Sequence, residues 1–117
     1  MTQDNGNINH VPKGKVVFLN VFTVPEGKTA EELVKLLENA TQEVIQFQQG
    51  FRSATIHVSL EEDRVMNYVI WDSVEDFKNM RQNPSAIAHM TEIRKTFPSD
   101  GRLYKAVTGI SVGDMLK

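Results

Sequence analysis

Arg64-Val65-Met66-Asn67-Tyr68-Val69-Ile70-Trp71 is apolar on both faces of an extended chain. Side chains alternate along a strand, so Val65, Val69 and Trp71 share one face and Met66, Tyr68 and Ile70 the other. β-Branched and aromatic residues favour that conformation. An antiparallel sheet with one solvated face reads apolar, polar, apolar, polar; this stretch does not. Just upstream, Phe51 to Leu60 does alternate. Ala54, Ile56, Val58 and Leu60 fall on one side, and Ser53, Thr55, His57 and Ser59 on the other. Glu61-Glu62-Asp63 is a short polar turn between them, so residues 51–71 read as a β-hairpin.

Working outward, Val16 to Val24 forms a second strand that is apolar on both faces, ended by Pro25-Glu26-Gly27. Thr29 with Glu32 makes a capping box. Leu33, Leu36, Leu37, Ala40, Val44 and Phe47 follow at helical spacing, predicting a helix over 29–48 that Gly50 stops. After the hairpin, Ser73 and Asp76 begin a short helix carrying Val74, Phe77 and Met80. Asn83-Pro84 is an N-cap followed by proline at the first helical position. The helix from there to about Thr96 places Ala86, Ile87, Met90, Ile93 and Phe97 on one face. Pro98 to Gly101 reads as a turn, and 102–112 as the last strand.

The order β-α-β-β-α-β predicts an α+β, ferredoxin-like fold with a four-stranded antiparallel sheet. Its two helical connections cover one face of that sheet. The second apolar face of the central strands then needs a cover that this chain does not supply. A second copy packed sheet against sheet, as a two-fold homodimer, is the simplest one.

Composition narrows the chemistry. The 117 residues suit one domain, expected over 15–117. Residues 1–14 are polar and Asn-rich, without the apolar stretch of a signal peptide, and are expected to be a flexible tail. Thirteen basic against fifteen acidic residues give a net charge of -2, with no attraction for nucleic acid or an anionic membrane. No stretch is apolar enough to span a membrane, and a cytoplasmic location is the default expectation. The absence of cysteine excludes disulfides, thiolate metal sites and a Cys nucleophile. His10, His57 and His89 show no metal-ligand spacing, and no phosphate-binding, zinc-protease or serine-hydrolase motif is present.

Two polar residues interrupt the apolar strands. Asn20 shares a face with Phe18 and Phe22, and Asn67 shares one with Val65, Val69 and Trp71. An unpaired buried amide costs about 1–3 kcal/mol, so each needs a partner. That partner is either a neighbouring structural group or a ligand in a cavity between sheet and helices. Asn67 and Trp71 lie about 13 Å apart along a strand at ~3.3 Å per residue, far enough to flank a flat, multi-ring ligand.

The run Gly50-Phe51-Arg52-Ser53-Ala54-Thr55-Ile56-His57, followed by Val65-Met66-Asn67-Tyr68-Val69-Ile70-Trp71-Asp72-Ser73-Val74-Glu75-Asp76-Phe77, resembles the antibiotic biosynthesis monooxygenase (ABM) domain family over roughly 15–112. The resemblance implies a dimeric α+β barrel. It also implies one of two activities: cofactor-free oxygenation of aromatic polyketide phenols to quinones, or oxidative haem degradation. In the first, Asn67 and Trp71 match residues lining the active site. The family tyrosine stands as Phe77, and the family's helical arginine falls near Met90, with Arg94 one turn on. In the second, Asn20 matches a first-strand Asn, Met80 replaces a Trp, and His89 matches a His only with a shift of one residue.

On the first reading no cofactor is needed. Asn67 and the Trp71 N–H are donors, Asn20 faces the substrate, and Phe18, Phe22, Phe77 and Met90 are apolar walls. His89 or Tyr68 is then a candidate proton acceptor. The alternatives are a dimeric binding protein for a small aromatic molecule without chemistry, and a haem protein.

Overall fold

The computed structural model describes residues 14–115; the expected tail falls outside them apart from Gly14. Four strands form one antiparallel sheet in the order β2-β3-β1-β4, with β1 Val16–Thr23, β2 Phe51–Val58, β3 Arg64–Trp71 and β4 Ser99–Lys105. The expected βαββαβ chain order is present, and the two strands that are apolar on both faces are the central pair. That placement follows from burial: a central strand has no open edge, and here its inner face also lies under helices.

The helices begin where their caps require. α1 (Ala30–Glu43) starts on Thr29, whose hydroxyl accepts from the Glu32 backbone at 3.1 Å while the Glu32 carboxylate accepts from the Thr29 N–H at 2.9 Å. α2 (Val74–Met80) starts on Ser73, and α3 (Pro84–Arg94) on Asn83, whose Oδ1 accepts from the Ser85 and Ala86 N–H groups. Gly50 enters β2 with φ +86°, and a Cβ there would overlap the Asp76 carboxyl.

Three expectations are corrected. α1 ends at Glu43 instead of continuing to 48, and Ile45–Phe47 forms one 3-10 turn. Two consecutive β-branched residues, Val44 and Ile45, disfavour further α-helix. The break turns Ile45 into the core and leaves Phe47 exposed. β4 begins at Ser99, within the expected turn, and stops at Lys105. Its polar run joins the sheet through backbone bonds to the edge of β1, which side-chain patterning does not report. Ile87, expected inward on α3, is half exposed.

The core between sheet and helices divides in two. Phe22 and Val65 join Ala30, Leu33, Leu37, Ile93 and Phe97 in one cluster. Val69 and Trp71 join Ile45, Phe77, Met80 and Ala86 in the other, with Phe18 packed against them. Asn20 lies between Phe18 and Phe22 on β1, and Asn67 between Val65 and Val69 on β3. The polar pair therefore sits at the boundary between the two clusters.

The opposite face carries Val17, Leu19 and Val21 from β1 beside Ile70, Tyr68 and Met66 from β3. Ser53, Thr55 and His57 flank them on β2, and Tyr104, Arg102 and Asp100 on β4. This face has an apolar centre and largely polar margins.

Candidate active site

The β1–β3 register sets Asn20 directly opposite Asn67; Ile56 is the next neighbour of Asn67 on β2, and Gly101 that of Asn20 on β4. Directly opposed residues on one face have Cβ atoms about 4.5–5.5 Å apart. The two amides thus form one polar patch on the helix-facing side of the sheet. Asn20 is 5% exposed. The Oδ1 atoms of both asparagines and the indole Nε1 of Trp71 are buried without a hydrogen-bond partner among the described residues. Buried polar groups are almost always paired, so three such atoms on one side of a sheet call for an explanation.

A cavity of about 470 Å³ opens over this patch. Its floor is Phe18, Asn20, Asn67, Val69, Trp71, Ser99 and Gly101; its roof comes from Leu37, Ala40 and Thr41 of α1, Met80 and Arg81 at the end of α2, and Ala86, Ile87, Met90, Thr91 and Arg94 of α3. That volume lies within the usual range for small-molecule sites.

The aromatic wall is continuous. Phe18 and Phe77 have ring centroids 4.6 Å apart, and Phe77 meets Trp71 edge-on at 6.2 Å. Phe51 closes the far side of Trp71 at 5.8 Å. The Arg81 guanidinium lies 5.7 Å from the Phe77 ring centroid, within cation–π range.

Gly101 keeps the floor open. A Cβ there would overlap the tip of Phe18 and come within 3.0 Å of Asn20 Oδ1. Read from sequence this glycine belonged to a turn. Glycine inside a strand, where another group approaches closely, is the signal that would have marked it.

Of the residues expected in the site, Asn20, Asn67, Trp71, Phe18, Phe77 and Met90 all line the cavity. Phe22 does not: it is buried beside Leu33 and Val65, two positions beyond Asn20 and across the core boundary. His89 does not line it either. Its Nε2 is 3.4 Å from the carboxylate of Glu43, the last residue of α1, and neither residue lines the cavity. Tyr68 pairs with Leu19 on the other face of the sheet. Neither candidate proton acceptor reaches the cavity floor. Among the described residues, the ionisable groups lining the cavity are Arg81 and Arg94.

Below the Trp71 end of the sheet, Asp72 binds both Lys15, at 2.8 Å, and Arg52, the bulged residue of β2. The Lys15 and Arg52 hydrogen bonds hold the Asp72 carboxyl below the usual carboxylate range. This cluster ties the ends of β1, β2 and β3 together beside the indole. Among the described residues, no group of His, Cys, Asp or Glu side chains is placed to hold a metal ion, and no helix is long and apolar enough to cross a membrane.

Comparison with known proteins gives a consistent picture. Residues 16–92, which carry β1 to most of α3 and nearly all of the cavity, match the family model described as antibiotic biosynthesis monooxygenase. Over 76 residues the chain is 37% identical to the tetracenomycin-F1 monooxygenase of Streptomyces glaucescens, covering 65% of this chain and 67% of that one. SnoaB, a cofactor-independent oxygenase from Streptomyces nogalater, superposes with a TM-score of 0.73 at 21% identity, over 83% of this chain and 97% of SnoaB. Rv0793 from Mycobacterium tuberculosis superposes with a TM-score of 0.70 at 15% identity, over 83% and 99% of the two chains. The structural likenesses establish the shared fold, and the match over 16–92 establishes the kinship: the chain belongs to the antibiotic biosynthesis monooxygenase family.

Proposed function

We propose that the protein is a cofactor-independent monooxygenase that oxidises an electron-rich, fused-ring phenol to a quinone with O2. The observation that carries this reading is the set of three buried, unpartnered polar atoms, on Asn20, Asn67 and Trp71, around one aromatic-walled cavity. A flat polycyclic phenol fits the Phe18–Phe77–Trp71 wall and offers those atoms the partners they lack. A half-turn of either amide exchanges acceptor for donor, so the patch serves a phenol and its anion alike.

The chemistry asks little of the protein. An ionised phenol passes one electron to O2, giving a substrate radical and superoxide. The two combine to form a carbon–oxygen bond, leaving a peroxide on the ring carbon. Loss of the remaining hydrogen on that carbon, with cleavage of the O–O bond, gives the carbonyl and water. Overall a CH2 group and O2 become C=O and H2O, a four-electron change on each side. The protein's part is to hold the ring, favour its anion and stabilise the developing negative charge on oxygen. Fixed neutral donors in a dry cavity do this well, and removing one costs about 10²–10³ in rate. Asn67 and Trp71 take that role here, with Asn20 beside them; Phe18, Phe77 and Met90 orient the ring.

The functional unit on this reading is a homodimer. The apolar centre and polar margins of the outer sheet face have the anatomy of a protein interface. Two such faces packed together would complete a barrel.

The test is oxygen uptake with an anthrone-type phenol, with the quinone identified by mass. Turnover well above the protein-free rate is expected, falling about 10²–10³-fold in Asn67→Ala and strongly in Trp71→Phe. Uptake at the protein-free rate, or variants as active as the parent, would overturn the assignment.

A further inference from the structure

We infer that Met90 is a self-oxidation site: its thioether takes an oxygen atom from the hydroperoxide formed on the substrate ring, which makes turnover self-limiting. The source of the oxidant rests on the oxygenase reading; the access of a fused-ring hydroperoxide to the sulfur does not.

The chain has no cysteine, so its five methionines carry all of its sulfur. Two of them, Met80 and Met90, line the cavity. They belong to different sides of the core boundary. Met80 is buried with Trp71 and Phe77 in one cluster, and Met90 packs against the cluster of Phe22 and Val65. Asn20 and Asn67 sit on that boundary in the floor below. The patch that would stabilise a peroxide therefore lies between two thioethers. Met80 is 9% exposed, whereas Met90 is half-buried, so Met90 is the one with more surface open at the cavity. Met66 is also half-buried but stands on the opposite face of the sheet, beside Val21 and His57.

A thioether is polarisable and is readily converted to the sulfoxide. In the productive branch the ring hydrogen is lost as the O–O bond breaks, giving the carbonyl and water. In the side branch a sulfur lone pair attacks the outer peroxide oxygen. The O–O bond breaks, the outer hydrogen passes to the inner oxygen, and the ring is left as an alcohol. Sulfur gives up two electrons and the peroxide takes two, so C–O–OH and the thioether become C–OH and the sulfoxide. A sulfoxide is polar where the thioether was apolar, and it would stand in the wall that orients the ring. Each such event disables one cavity.

Cleavage after Lys78, Arg81 and Arg94 places Met66, Met80 and Met90 in three separate peptides, so mass spectrometry reads the gain of oxygen at each. The first arm adds tetralin hydroperoxide, a fused-ring hydroperoxide, to the resting protein. Met90 should oxidise about tenfold faster than Met66, and anthraquinone in the cavity should slow it. The second arm follows anthrone turnover in the presence of catalase and excess free methionine, which remove any peroxide that escapes. Met90 oxidation should persist there and rise with the oxygen consumed, while the rate falls. Met90→Leu, close to the parent in volume, should complete several times more turnovers before its rate halves, measured against its own starting rate. Circular dichroism checks that the variant is folded. Met90 oxidising no faster than Met66 in the first arm, or staying unmodified through turnover in the second, would overturn the inference; oxygen uptake in that same experiment would leave the oxygenase reading standing. No uptake, with Met90 selectively oxidised by tetralin hydroperoxide and protected by anthraquinone, would sink the oxygenase reading and keep Met90 as the oxidisable residue of the cavity.

Discussion

Asn20 on β1 and Asn67 on β3 are direct cross-strand partners, and both present a buried Oδ1 that nothing among the described residues pairs. Two adjacent unpaired amides at the boundary of two apolar clusters weaken a fold. Replacing Asn67 by Leu, close to it in size, removes one of them. The Asn67→Leu variant should be as stable as the parent or more so, by about 1–3 kcal/mol, in chemical denaturation. Its oxygen uptake should fall about 10²–10³-fold. Stability gained while activity is lost distinguishes a site residue from a structural one; a variant that loses both would show that Asn67 supports the fold.

How much of this is legible in the sequence depends on the scale of the interaction. Asn20 and Asn67 each stand out as polar interruptions of an apolar strand, and parity alone assigns Asn67 to the Trp71 face. That the two stand side by side depends on the β1–β3 register, which joins residues 47 positions apart and leaves no local trace. The caps at Thr29, Ser73 and Asn83 are contacts within a few residues, and all three are legible. β4 is the contrary case. Ser99-Asp100-Gly101 has turn chemistry in isolation, and only the exposed edge of β1 makes it a strand. His89 and Phe22 fall outside the cavity for a related reason. A helical wheel or a strand parity gives a face but not a depth, and the cavity occupies only part of each face.

Gly101 should tolerate no side chain. A Cβ there meets Phe18 Cε1 at 2.9 Å as well as Asn20 Oδ1 at 3.0 Å, inside ordinary contact distance. Phe18 is wedged against Phe77, so it has little room to retreat. Overpacking of this kind costs about 1–3 kcal/mol. Gly101→Val should lower the denaturation midpoint and, by pushing Phe18 into the cavity, weaken binding of a polycyclic ligand more than Gly101→Ala does. Unchanged ligand affinity in Gly101→Val would mean that the cavity floor is not where the ligand rests.

Acid should loosen the Trp71 end of the sheet before the rest. The Lys15 and Arg52 hydrogen bonds lower the Asp72 pKa in the folded protein from its ordinary value of 3.8. A depressed folded-state pKa stabilises the fold above the unfolded value, and that contribution is lost as pH falls through the folded one. The parent should therefore be more stable than Asp72→Asn above about pH 4. The gap should narrow on acidification below that point and close once Asp72 is protonated in both states. A gap that stays constant from pH 7 down to pH 2 would mean that Asp72 acts through its shape and not its charge.

The outer face of the sheet supplies the last prediction. Leu19 and Tyr68 are opposed across β1 and β3 at its centre, each half-buried, with Thr55 and Arg102 on either side. α1, α2 and α3 all pack against the other face, so the parts of Leu19 and Tyr68 still exposed meet water unless a second molecule covers them, whereas Val17 and Ile70 beside them are already buried within the chain. Apolar burial contributes about 25 cal/mol for each Å² removed from water, and a sheet-on-sheet contact removes many such areas at once. Light scattering at micromolar concentration should give twice the chain mass. Leu19→Asp, which sets a charge where two copies would meet, should give a monomer, since burying an unpaired charge is far more costly than exposing a leucine. Because dimerisation stabilises by mass action, the parent's melting temperature should rise with protein concentration and that of Leu19→Asp should not. A parent that scatters as a monomer across that range would leave the outer face uncovered and the half-barrel reading wrong.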